Sequence, residues 1–101
     1  MAEFWLSKGF TILARRLRTG VGELDLVVAD AQTLVFVEVK ARRSLVHAAY
    51  SISPRQQARL LEAASLALAT HAGWARPATR FDVALVSATR LKHIEDALRY
   101  Q

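Results

Sequence analysis

The sequence predicts an α/β domain whose mixed central sheet is flanked by helices, and three observations carry that prediction. Gly22-Glu23-Leu24-Asp25-Leu26 and Phe36-Val37-Glu38-Val39-Lys40 are rich in β-branched and large apolar residues and flank a polar break at Asp30-Ala31-Gln32, the pattern of a hairpin. A strongly signalled helix begins after Ser53, and a further apolar strand follows it from Arg80 to Ser87, so a helix crosses over between strands. The 101 residues make a single domain, long enough to bury a core although the chain has no cysteine for a disulfide.

Taken in order, Ala2 to Lys8 reads as a short helix with Phe4, Trp5 and Leu6 as its apolar side, closed by Gly9 at a left-handed C-cap. Thr11 to Arg18 alternates loosely before the Thr19-Gly20-Val21-Gly22 turn and forms the first strand of the meander. Its Arg15, Arg16 and Arg18 either meet phosphates or solvate an outer strand and blunt its edge. After Lys40, the stretch Ala41 to Ser51 reads as a loop in which Arg42 and Arg43 are placed to hold a nucleic-acid backbone. His47 lies in that loop without a metal-spaced partner.

The second helix has three start signals: Ser53 as N-cap, Pro54 at the first helical position and Gln56 where a capping box wants it. It is expected to run to about Ala72, with Gly73 as its stop, and to pack Leu60, Leu61, Ala64, Ala67 and Leu68 on the sheet. Arg55 and Arg59 sit one turn apart on its first half and face either phosphate or water; Gln56 or Gln57 reaches toward the hairpin acids, or Gln56 only caps. Trp74 to Thr79 connects to the last strand, where Asp82 either lies close to the active face of the sheet or pairs with Arg80 or a neighbour. His93 to Tyr100 reads as a short terminal helix with Ile94, Ala97 and Leu98 inward.

Parity sets the hairpin register. Apolar residues should meet apolar ones, so Val27 faces Phe36, Asp25 faces Glu38 and Glu23 faces Lys40. Two carboxylates opposite each other repel, and something positive belongs between them. Lys40 and a divalent cation are the candidates, and oxygen ligands with an open coordination sphere suit Mg2+ or Mn2+. Such a site suits phosphodiester hydrolysis; the plainer alternative is a surface hairpin whose charges pair loosely for ~0 to 1 kcal/mol.

Fourteen Lys and Arg against nine Asp and Glu leave a formal charge of +5, which points to an anionic polymer as partner. Three of those nine acids, Glu23, Asp25 and Glu38, cluster on the hairpin, as a metal pocket on a basic surface requires. The absence of cysteine fits a reducing cytoplasm, and no apolar run reaches the length of a membrane span.

The element order and Asp25...Glu38-x-Lys40 resemble the core of the PD-(D/E)XK nuclease superfamily, which includes restriction enzymes and Holliday junction resolvases. More closely, Gly22 to Leu26, Leu34 to Arg42, the Ser53 to Leu60 helix start, Arg80-Phe81-Asp82-Val83 and His93 to Leu98 resemble the YraN family, also called UPF0102. The resemblance implies a restriction-endonuclease-like αβββαβ core, nucleic-acid binding with DNA favoured over RNA, and a possible homodimer. By position, Asp25 and Glu38 would hold the metal with the Val39 carbonyl, and Lys40 would assist the attacking water. Glu23 is a further ligand candidate. Two departures accompany it: members carry a longer first helix with a Gly-Glu pair, for which Glu3 is a poor substitute, and often a lysine where Gln56 stands here. A binding module that keeps the nuclease fold without cutting, and a dimeric scaffold using the Phe4-Trp5 surface, are the alternatives.

Overall fold

The computed structural model describes residues 1–41 and 52–98. Helix α1, Ala2–Ser7, turns back at Gly9, whose φ of +85° suits glycine and whose N–H donates to the Leu6 carbonyl. Strands β1 (Thr11–Thr19), β2 (Gly22–Ala29) and β3 (Thr33–Ala41) follow as an antiparallel meander. Each turn is closed by a short polar side chain: Thr19 Oγ1 accepts from the N–H groups of Val21 and Gly22, and Asp30 Oδ1 accepts from those of Gln32 and Thr33.

Helix α2, Pro54–Thr70, crosses over to β4, Ala78–Val86, which pairs parallel to β3. Ser53 Oγ accepts from the Gln56 N–H, so the cap read from the sequence is present. The helix ends at Thr70, two residues before the expected Ala72. His71 leaves helical geometry, stacks on Trp74 with ring centroids 3.9 Å apart, and begins a 3-10 turn, Ala72–Trp74, that contains Gly73. Arg76 then ties this turn to the far hairpin, donating to the carbonyls of Trp74 (2.9 Å) and Asp30 (2.8 Å).

Of the expected terminal helix from His93 to Tyr100, His93 and Ile94 instead belong to a fifth strand, residues 95–98 are not helical, and Arg99 and Tyr100 lie outside the described residues. Strand β5, Leu91–Ile94, pairs antiparallel to β4. Asp96 takes φ +53°, its N–H donates to Asp82 Oδ1, and the Ala97 N–H donates to the Phe81 carbonyl, so these backbone groups are spent on β4 and not on helical bonds. Ile94, Ala97 and Leu98 still face inward, as their spacing suggested.

The sheet order is β1-β2-β3-β4-β5, with both faces covered. Phe36, Leu34, Val27, Leu24, Phe81 and Leu85 pack with α2, while Val35, Val37, Leu26, Val28 and Ala84 surround Trp5 on the α1 side. Burial on both faces explains why β2 and β3 are nearly continuous apolar runs rather than alternating ones. The Ala41 to Ser51 loop, with Arg42, Arg43 and His47, lies outside the described residues beyond Ala41.

Candidate functional site

The register of β2 and β3 is the one parity predicts, with Val27 opposite Phe36 and Ala29 opposite Leu34. The paired ladder stops at Leu26 and Val37, one step before the two acids would meet. There Asp25 leaves strict alternation: Leu24 and Val27, three residues apart, both reach the core on the α2 face. Across from Asp25 on β1, Arg16 holds φ +48°, a left-handed conformation uncommon for a residue with a side chain, between the pairs Arg15–Leu26 and Leu17–Leu24. The Asp25 carboxylate meets β3, where Oδ2 accepts from the Val39 N–H at 2.8 Å. A side-chain oxygen thus replaces the backbone acceptor that a continued ladder would have supplied.

Glu38 is buried, only 6 % exposed, and lies against Asp25. Burial, then its hydrogen bond to the Asp25 carboxyl and the repulsion of that charge, push the Glu38 carboxyl from an ordinary 4.5 up to about 8. Lys40 works in the opposite direction from 4.0 Å, Nζ to Oε2, with its side chain only 21 % exposed. The expected trio of acid, acid and lysine is therefore assembled. Two oxygen donors that must share a proton when no cation joins them match the needs of a hard divalent ion, which takes one or two carboxylates and fills its sphere with water and phosphate oxygens. Among the described residues, no group of three or more His, Asp or Glu side chains converges as a larger cage would require. The Val39 N–H and C=O point to the same edge of the strand, so the carbonyl is directed toward β2 as well.

Glu23 does not face Lys40. It stands on the rim, exposed, with Oε2 3.8 Å from Arg18 Nε, a pairing worth ~0 to 1 kcal/mol in solvent. Glu23 is paired directly with Arg18 across β1 and β2, while the β2–β3 pairing ends at Leu26 and Val37 and does not extend to Glu23 and Lys40.

Glu38 forms the floor of a cleft of about 640 Å³ whose other walls are Gly22, Glu23, Ser53, Arg55, Gln56, Arg59 and Leu60. The start of α2 thus hangs over the hairpin acids, bringing Arg55, Arg59 and Gln56 to the site. The Arg59 stem rests on the strand at Gly22: a β-carbon there would lie 3.6 Å from Arg59 Cγ and 3.7 Å from Cδ, ordinary contact distances. Gln57, by contrast, is occupied with the Ile52 carbonyl. Arg15, Arg16 and Arg18 are exposed along β1 and do not line the cleft. Asp82 belongs elsewhere: fully buried, it accepts from Arg80 Nε (2.8 Å) and Nη2 (2.9 Å) and lies 2.6 Å from His93 Nε2.

Sequence reasoning missed Lys92. Strand pairing aligns Lys40 with Leu85 and Leu85 with Lys92, so the β4–β5 turn arrives at the same end of the sheet as the acids. The signal was hidden because the terminal segment was read as helix.

Against known sequences, the model of the "Uncharacterised protein family UPF0102" matches residues 1–86. A UPF0102 protein of Acidiphilium cryptum is 52% identical over 99 residues, covering 98% of this chain and 77% of that protein. Similar proteins of the same description occur in Nitrobacter winogradskyi, 47% identical over 90 residues (89% of this chain, 76% of the relative), and Rhodopseudomonas palustris BisA53, 46% identical over 90 residues (89% and 69%).

Proposed function

The chain belongs to the UPF0102 family, and from that premise we propose that it is a metal-dependent nuclease-like protein that binds nucleic acid, DNA before RNA, and hydrolyses a phosphodiester in a structured or branched substrate. The contact of the Asp25 and Glu38 carboxyls, with Lys40 beside Glu38 and Glu38 itself lining a cleft, carries this reading. Asp25 and Glu38, with the Val39 carbonyl, would hold Mg2+ or Mn2+. When bound, such an ion supplies a Lewis acid for the phosphoryl oxygen and lowers the pKa of the attacking water.

The chain's own residues do the rest. Lys40 orients that water and counters the charge that grows on the phosphoryl group. The Val39 N–H fixes Asp25 Oδ2 and so holds the Asp25 carboxyl against Glu38. Glu23 on the rim adds a carboxylate near the entrance. Arg55, Arg59 and Gln56, together with Arg15, Arg16 and Arg18 on β1, contact phosphates, which positions the polymer without reading its sequence.

A second reading is favoured by one observation: two carboxylates and no third group converge among the described residues. On that reading the fold binds nucleic acid and does not cut it. Cleavage of labelled four-way junction, duplex and single-stranded DNA in Mg2+, Mn2+ or EDTA, with Lys40→Ala prepared in parallel, separates the two. Metal-dependent cutting that disappears in Lys40→Ala, with affinity retained, is the expected result. Cutting that survives the substitution would be a contaminant's, and binding without cutting would leave the module reading standing.

A further inference from the structure

Lys40, Leu85 and Lys92 form one row across β3, β4 and β5, each in register with the next. Directly paired residues share a face, and Leu85 belongs to the core under α2, so Lys92 projects on the side of the sheet that carries Glu38 and Lys40. Neighbouring strands lie about 4.8 Å apart, which puts Lys92 about 10 Å along the row from Lys40. It is exposed and makes no ion pair among the described residues. The turn that delivers it is fixed: the Ser87 N–H donates to the Arg90 carbonyl at 2.9 Å, and the Arg90 N–H donates to Ser87 Oγ at 3.0 Å.

On the other flank of the acids, Arg55 and Arg59 are likewise unpaired among the described residues, and their side chains border the same cleft. Cations without counterions therefore stand on both sides of a buried acidic floor. A ligand that fits must present negative charge at each flank and accommodate a cation between them, which a polymer of phosphodiesters does and a single small anion does not.

We propose that this end of the sheet is a track for one nucleic-acid backbone, gripped on the α2 side by Arg55 and Arg59 and on the β5 side by Lys92, with the acids between the two grips. The track rests on the nuclease-like reading for the identity of its polymer, but its Lys92 arm is a separate contact that cutting does not require. The backbone then crosses the ends of β3, β4 and β5, and Lys92 is a positioning residue.

The test is binding of a labelled four-way junction in EDTA, followed across salt concentrations, for the whole chain and for Lys92→Gln, Arg55→Gln, the double variant and Lys8→Gln. Lys8 is exposed just after α1, 4.6 Å from the Phe4 ring centroid. Each of the first two substitutions is expected to make the plot of log affinity against log salt less steep by about one unit and to weaken binding ~10-fold, additively in the double variant, while Lys8→Gln leaves the slope alone. An unchanged slope in Lys92→Gln, or an equal loss in Lys8→Gln, overturns the track. Metal-dependent cutting with an unchanged Lys92→Gln slope would sink the track and spare the nuclease reading; a reduced slope without any cutting would do the reverse.

Discussion

Glu38 is held in a protonation state its type does not ordinarily adopt. Its carboxyl moves from 4.5 unfolded to about 8 folded, so between those values the folded chain keeps a proton that the unfolded chain has released. Stability from this group is complete below about pH 4.5 and is lost as pH rises toward about 8. The thermal midpoint in EDTA is therefore expected to fall by several degrees across that window in the native chain, and to fall less in Glu38→Gln. Other titrating groups are common to both proteins, so the difference isolates Glu38. Equal slopes in the two would show that the carboxyl is not raised. A divalent ion that joins Asp25 and Glu38 removes the reason for the raised value, and the same scan in Mn2+ should flatten the native curve.

Among the elements, the meander was the most legible, because the alternation of Val27, Phe36 and their neighbours specifies one register and a single-residue slip would turn the apolar set to the wrong face. The end of the ladder was not legible. The pairing ends where Asp25 gives a side-chain oxygen to the Val39 N–H, opposite a left-handed Arg16, and neither feature has a composition signal. Helix α2 was visible through Ser53 and Pro54, whose chemistry is local. Strand β5 was misread because Ile94, Ala97 and Leu98 repeat at helical spacing, whereas the choice is made by Asp82, eleven residues before His93. Asp82 receives Arg80, His93 and the Asp96 N–H on one buried carboxylate, joining β4 to β5 and to the segment after it. Asp82→Ala removes the buried carboxylate that these groups share and leaves Arg80 only its more exposed pairing with Glu95, and a loss of about 3 to 5 kcal/mol in urea unfolding is expected. A loss under about 1 kcal/mol would mean that β5 is held by its ladder alone.

Across the whole molecule, β3 is the axis. It is the middle strand of five, covered by α2 on one face and by the Trp5 cluster on the other, and it ends in Glu38 and Lys40. Local opening should be hardest there. Amide hydrogen exchange is expected to be slowest at Val35, Phe36 and Val37 and markedly faster in β1 and β5, which among the described residues each pair on one side only. Comparable protection of β1 would contradict its place at an edge.

The two tryptophans divide between these halves. Trp5 is fully buried on the α1 face with its ring 5.1 Å from that of His93, and Trp74 packs at the end of α2 against His71. The sheet therefore separates two intrinsic fluorophores, each in contact with an imidazole. Emission from the native chain is a composite of both sides, and Trp74→Phe leaves a signal that reports the α1 face alone.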